Sequence, residues 1–165
     1  MLTVRTAKLA VTLMIACSAL LATYNNITDY LSNFAYSQSF LSMDTVYNTD
    51  HVLYRTLTWP TFWHASYWLI IAGKGLTGIL LLCGARSMWA ARGASAAQFD
   101  AAKKWMITGA TLGFVIWIIG FLVIGTERFL LWQSEHWNGQ ATSFMFSGII
   151  LGALIFVNQP EQELR

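Results

Sequence analysis

Apolar residues run along this chain in long, nearly unbroken stretches, without the strict alternation of a half-buried strand. Leu9–Thr28, Trp105–Thr126 and Trp137–Pro160 contain no Asp, Glu, Lys or Arg, and Thr56–Ala85 contains only Lys74. A hydrocarbon core of roughly 30 Å needs about 20 apolar residues of helix, and each window meets or approaches that length. The pattern predicts four membrane-spanning helices, over about residues 7–30, 61–86, 103–133 and 140–158. The expected fold is all-α: one four-transmembrane-helix bundle occupying residues 1–165, a polytopic membrane protein with an ordered outer first loop.

Local signals punctuate these windows. Pro60 suits the first turn of the second helix, where its missing N–H costs nothing. Ser95 with Gln98 reads as a capping box ahead of the third helix, and Asn138-Gly139 breaks the chain before the fourth. Asn158-Gln159-Pro160 reads as a stop. The third helix meets no breaker until Asn138-Gly139, which predicts that it outruns the membrane. Between the first two helices, aromatics mix with small polar residues, which predicts an ordered segment along the interface with a short helix starting at Ser42 or Asp44.

Composition removes the soluble alternative. The chain is 56% hydrophobic and 11% charged, against about 25% charged for an ordinary soluble domain. Its charges are sorted: Arg5, Lys8, Arg86, Arg92, Lys103, Lys104 and Arg165 lie on one side. Arg55 and Arg128 lie on the other, beside Asp44, Asp50, Glu127 and Glu135. The positive-inside rule places both termini in the cytoplasm, so the net charge of +2 reports orientation and no nucleic-acid surface. The first apolar run exceeds a signal-peptide core, and Tyr24-Asn25-Asn26 is a poor cleavage site, so it is read as a retained helix. Cys17 and Cys83 fall inside spans without ligand spacing; no disulfide or metal cluster is expected.

Lys74 is the residue that the bilayer penalises most. At ~1.5 Å per residue its Cα falls near the membrane centre, where an ionisable group needs a partner, water or a task. On the first helix Ser18, Asn25 and Asp29 form a narrow stripe with Asn26 beside it. Helices starting at equal depth would put Asn25 ~7 Å above the lysine, with Asp29 and Glu127 roughly 13 and 16 Å above it. Three readings follow: an ammonium held by Asn25, backbone carbonyls and Ser147; an uncharged amine; or a contact to an anion, a lipid or quinone headgroup, or another subunit's carboxylate. The expected cofactor content is none, with lipid or quinone as the alternative ligand.

Small residues mark helix contacts. Gly109/Gly113 and Gly148/Gly152 are each spaced by four, and Gly73, Gly75 and Gly78 surround the lysine. Such spacing lets backbones approach closely, within this chain or against a partner. His51, His64 and His136 all fall on the outer side, near Asp44, Asp50 and Glu135, but their spacing is too diffuse for a haem or metal motif. No nucleophile elbow, metalloprotease motif or phosphate loop is present, so an enzyme is not expected.

The densest polar and aromatic cluster is Glu127, Arg128, Trp132, Gln133, Ser134, Trp137, Asn138, Gly139 and Gln140. Its bland reading is an interfacial helix end, with Glu127 and Arg128 paired to Arg55 and Asp29. Glu127, Phe129, Trp132-Gln133-Ser134 and Trp137-Asn138-Gly139-Gln140 also resemble a bacterial family of predicted small integral membrane proteins of undefined function. The similarity extends over nearly the whole chain. It implies a bacterial inner-membrane location and four helices, and carries over no activity.

Small size, glycine faces and missing catalytic motifs lead to the expectation of a non-catalytic accessory or stabilising subunit of a larger membrane complex. Its partners would be the lipid bilayer and other membrane subunits or copies of itself. The alternative is a small homo-oligomeric transporter or channel using Lys74, and a third reading is a quinone- or haem-binding redox anchor.

Overall fold

The computed structural model describes residues 2–47 and 51–162; Asp50 and Arg165 lie outside them. Six α-helices follow one another: α1 Leu2–Thr28, α2 Tyr30–Ser42, α3 Pro60–Ala90, α4 Ala96–Ala102, α5 Lys104–Val115 and α6 Gln140–Asn158. A π-helical stretch, Ile116–Arg128, continues α5 without interruption. Four helical stretches are long and apolar enough to cross a membrane: Leu2–Thr28, Pro60–Ala90, Ala96–Arg128 and Gln140–Asn158, with mean hydropathies of 1.7, 1.8, 2.4 and 1.8. The protein is an integral membrane protein of all-α fold.

Several boundaries follow the local chemistry. Pro60 opens α3. Ser95 and Gln98 complete both halves of the capping box of α4. Other boundaries differ from the sequence expectation. The first helix starts at Leu2, ahead of residue 7, because Arg5 and Lys8 are folded inward instead of marking a solvated flank. The first-loop helix starts after Asp29, and Ser42 ends it, with Met43 in the left-handed conformation behind it. The third helix stops at Arg128 instead of about 133: Leu130 turns the chain with φ 55°. Leu131, now 1% exposed, drops into a cluster with Phe40, Leu41, Met43, Val46 and Phe129. Burial of these side chains outweighs helix propensity that no Gly or Pro opposes.

Helix α3 is the hub, flanked by α1 and α5. A Cβ at Gly78 would come within 3.3 Å of the Leu20 backbone nitrogen in α1, and one at Gly109 within 3.1 Å of the Leu81 nitrogen. Gly113 faces Thr77 at 3.0 Å. The Gly109/Gly113 pair is therefore used inside this chain. Near Gly148 and Gly152 there is nothing within 4 Å.

The two ends of the bundle differ in chemistry. One is basic, and there the fully buried Met88, Phe99, Met106 and Val157 lie under a cluster of charges. Arg5, Lys8 and Lys103 are 1%, 1% and 2% exposed. Glu161, on the segment after α6, joins them: Lys8 Nζ donates to its Oε1 at 2.5 Å, Arg5 Nε to its Oε2 at 3.3 Å, and Lys103 Nζ lies 3.5 Å away. The Gln159 carbonyl accepts from both Lys8 and Lys103 at 2.7 Å. Desolvation would raise the Glu161 carboxyl, yet the hydrogen bonds and charges of Lys8, Arg5 and Lys103 outweigh it and hold it below the usual carboxylate range. The other end is aromatic and carries α2.

Candidate functional site

Lys74 is half-buried near the middle of α3. Its amino group is met by aromatic faces: Nζ lies 5.4 Å from the ring centroids of both Trp117 and Phe121. That distance is within cation–π range, and desolvation strengthens such contacts. Trp117 is fixed in turn by Phe146 of α6, stacked at 4.5 Å and 10°, and by Phe121 at 4.8 Å. Both aromatic partners of the lysine belong to the π-helical stretch. Its wide turns are a rare backbone form that recurs at functional sites. Gly120 and Gly125, five apart, pass each other there without side chains between them: a Cβ at Gly125 would lie 3.7 Å from the Gly120 carbonyl oxygen.

The expected polar partners are elsewhere. Asn25 and Asp29 are exposed, and Asn25 lines a shallow groove on the outside of α1 with Leu13, Cys17 and Leu21. Asn26 points inward, and its carbonyl accepts from the Tyr67 hydroxyl at 3.1 Å. Ser147 Oγ is buried without a partner and makes no bond to the lysine. Among the described residues no hydrogen bond or ion pair reaches Lys74; the ion pairs lie at the basic end. Trp117 and Phe121 carry no polar signal in the sequence. Their four-residue spacing on the next spanning helix, level with the lysine, was the available signal.

Two cavities share Lys74 and Trp117 as a wall. One, of about 210 Å³, lies between α1, α3, α5 and α6 and is bounded by Met14, Ile15, Thr77, Ile116, Ile149 and Ile150 among others. The second, of about 280 Å³, opens toward the aromatic end past Phe121, Trp137, Asn138, Gly139 and Ser143. A lysine thus separates an apolar chamber from an aromatic and polar vestibule.

Of the Trp-Gln-Ser and Trp-Asn-Gly-Gln residues, Trp137, Asn138 and Gly139 line the vestibule. Ser134 Oγ accepts from the Trp137 backbone N–H at 2.9 Å and from the Thr45 hydroxyl at 2.8 Å. Asn138 donates from Nδ2 to the Trp132 carbonyl at 3.1 Å and accepts from the Gln140 N–H at 3.1 Å. Trp132 is exposed, and Gln133 Oε1 is buried without a partner. Glu127 and Arg128 are exposed; the Arg128 carbonyl accepts from Arg55 at 3.4 Å, and the expected pairing of Glu127 and Arg128 with Arg55 and Asp29 is not among the ion pairs.

Gly139 has a steric reason to be glycine, because a Cβ there would run into the Tyr36 hydroxyl. Tyr36 is held among Phe40, Phe121 and Trp137 and cannot swing aside freely. Its burial pushes the phenol up to about 12, so it stays neutral. Gly139→Ala is expected to lower stability by about 1–2 kcal/mol, the usual cost of overpacking, read as a lower thermal midpoint in detergent.

The histidines stand in separate settings. His64 stacks on Phe34 at 4.2 Å and shares a 2.8 Å hydrogen bond with the Tyr30 hydroxyl, while His136 meets the edge of Trp137 at 4.6 Å. Among the described residues no three His, Cys, Asp or Glu side chains come together.

Comparison with known proteins gives a family. No curated protein and no solved structure matches this chain. A family model does, over residues 4–160, nearly the full length and all four spans. The chain belongs to the family described as predicted small integral membrane proteins (DUF2165).

Proposed function

We propose that this protein is a non-catalytic accessory subunit that stabilises a larger assembly in the bacterial inner membrane, with its basic end and both termini in the cytoplasm. The observation that carries this reading is the unequal use of the two glycine pairs. Gly109 and Gly113 are occupied by α3, whereas Gly148 and Gly152 form an exposed notch on α6, where an added Cβ would meet none of the described residues within 4 Å. Close backbone approach and dispersion drive helix association in lipid, and such a notch fits a spanning helix of a partner. The concentration of Arg and Lys at one end supports the orientation.

The test is purification from native membranes in mild detergent. Gly152→Leu is expected to remove the co-purifying membrane partner while the chain stays monodisperse and helical. A partner retained in full by Gly152→Leu, or a chain that repeatedly emerges alone, would overturn the assignment.

One observation favours the transporter alternative: Lys74 borders cavities on two sides. The fully buried Leu81, Met88 and Met106 fill the bundle toward the basic end, which argues for a binding chamber over a conduit. Proteoliposome flux unchanged by Lys74→Leu would remove that alternative.

A further inference from the structure

Two polar residues line the apolar chamber without a hydrogen-bond partner among the described residues. One is Lys74, backed by rings on one side. The other is Thr77, three residues along the same helix and 4% exposed, whose Oγ1 is buried without a hydrogen bond. Both line the same cavity. A buried hydroxyl and a mid-membrane cation each carry a penalty until an acceptor reaches them, and an anion satisfies both.

The remaining walls specify the rest of the ligand. Met14, Ile15, Ile116, Ile149 and Ile150 offer no hydration to a small ion but accept a hydrocarbon chain. Met14 and Ile149 are 63% and 53% exposed, so the chamber opens to the bilayer between α1 and α6. Toward the basic end the bundle is filled by the fully buried Leu81, Met88 and Met106. A ligand entering sideways would meet a cation and a hydroxyl donor at the inner wall and leave its tail toward the lipid.

We propose that Lys74 and Thr77 form the head-group site for an acidic amphiphile: an alkyl chain bearing a carboxylate or phosphate, its tail along Met14, Ile116, Ile149 and Ile150. The anion pairs with the ammonium and accepts the Thr77 hydroxyl, with Trp117 and Phe121 against the cation on the vestibule side. Gly148 and Gly152 do not line this cavity, and the ligand titration reads it without reference to a protein partner.

The probe is dibromostearate, whose bromines quench indole fluorescence on contact, titrated into the full-length protein in phosphatidylcholine vesicles. Saturable quenching that Trp117→Phe removes is expected. Dibromostearate methyl ester, which has the same tail without the charge, should bind about tenfold or more weaker. Lys74→Gln should show the same loss, and Lys74→Arg should restore binding. Competition by phosphatidylglycerol would assign the anion to a phospholipid, and competition by oleate alone would assign it to a free acid; either supports the site. Equal binding of acid and ester overturns it, and needs no variant to fold. So does undiminished binding by Lys74→Gln, or displacement by decylubiquinone at the potency of the acid, which would mark a neutral quinone site.

Discussion

Glu161→Gln is expected to lower the stability of the folded bundle by about 3 kcal/mol, the lower end of what breaking a buried ion pair costs. Three cations that are 2% exposed or less, Arg5, Lys8 and Lys103, converge on this carboxylate, whose side chain is 5% exposed. Asp100 would remain as a counter-charge for Lys103 at 2.6 Å, but its side chain is 38% exposed. Asp100→Asn should therefore cost less than about 1 kcal/mol. The comparison is a pair of thermal unfolding curves in the same detergent. Equal midpoints for the two variants would show that the cluster is solvated and Glu161 is not its keystone.

The same carboxylate sets an acid limit. Its folded value is held below the ordinary 4.5, so the unfolded chain binds the proton more readily. Its contribution is complete above pH 4.5 and is lost as pH falls through the depressed folded value. The unfolding midpoint should drop across that acid window in the unaltered protein and stay flatter in Glu161→Gln. Parallel curves would refute the linkage.

Gly84→Leu is expected to be at least as damaging, about 3 kcal/mol or more. A Cβ at Gly84 would stand 2.5 Å from the Met106 backbone nitrogen and 2.8 Å from its Cα. No rotamer relieves a clash with backbone, so α3 and α5 would have to separate. Dispersion between closely packed backbones falls off steeply with such a gap. Gly148→Leu is the matched control, since nothing lies within 4 Å of that position. If both variants unfold at the same temperature in detergent, the α3–α5 crossing is looser than described here.

Particular residues show how far the sequence could be read. The charge-poor windows, Pro60, Ser95 with Gln98, and Asn158-Gln159-Pro160 located the spans and several of their ends, because those signals act within a few residues. The end of the third helix was not legible: Arg128-Phe129-Leu130 contains no breaker, and the turn comes from burying Phe129 and Leu131 against the first loop. Gly109 and Gly148 each open a glycine pair spaced by four, but one is packed and the other open. Only the placement of neighbouring helices separates them.

The candidate site divides in the same way. Lys74 stood out because a charge inside an apolar helix is costly wherever that helix lies. Its surroundings did not, since Trp117 and Phe121 are ordinary apolar residues until the π-helical stretch turns them toward the ammonium. Arg5, Lys8 and Lys103 read in the sequence only as charges on one side of the membrane, and folding of the Glu161 segment buries them. The sequence by itself determined that this protein has four helices apolar enough to cross a membrane and that Lys74 interrupts one of them, because solvation in lipid depends on local composition. Only the tertiary structure decided what faces that lysine, which glycines remain open and where the basic charges are neutralised, because those depend on contacts between residues far apart in the chain.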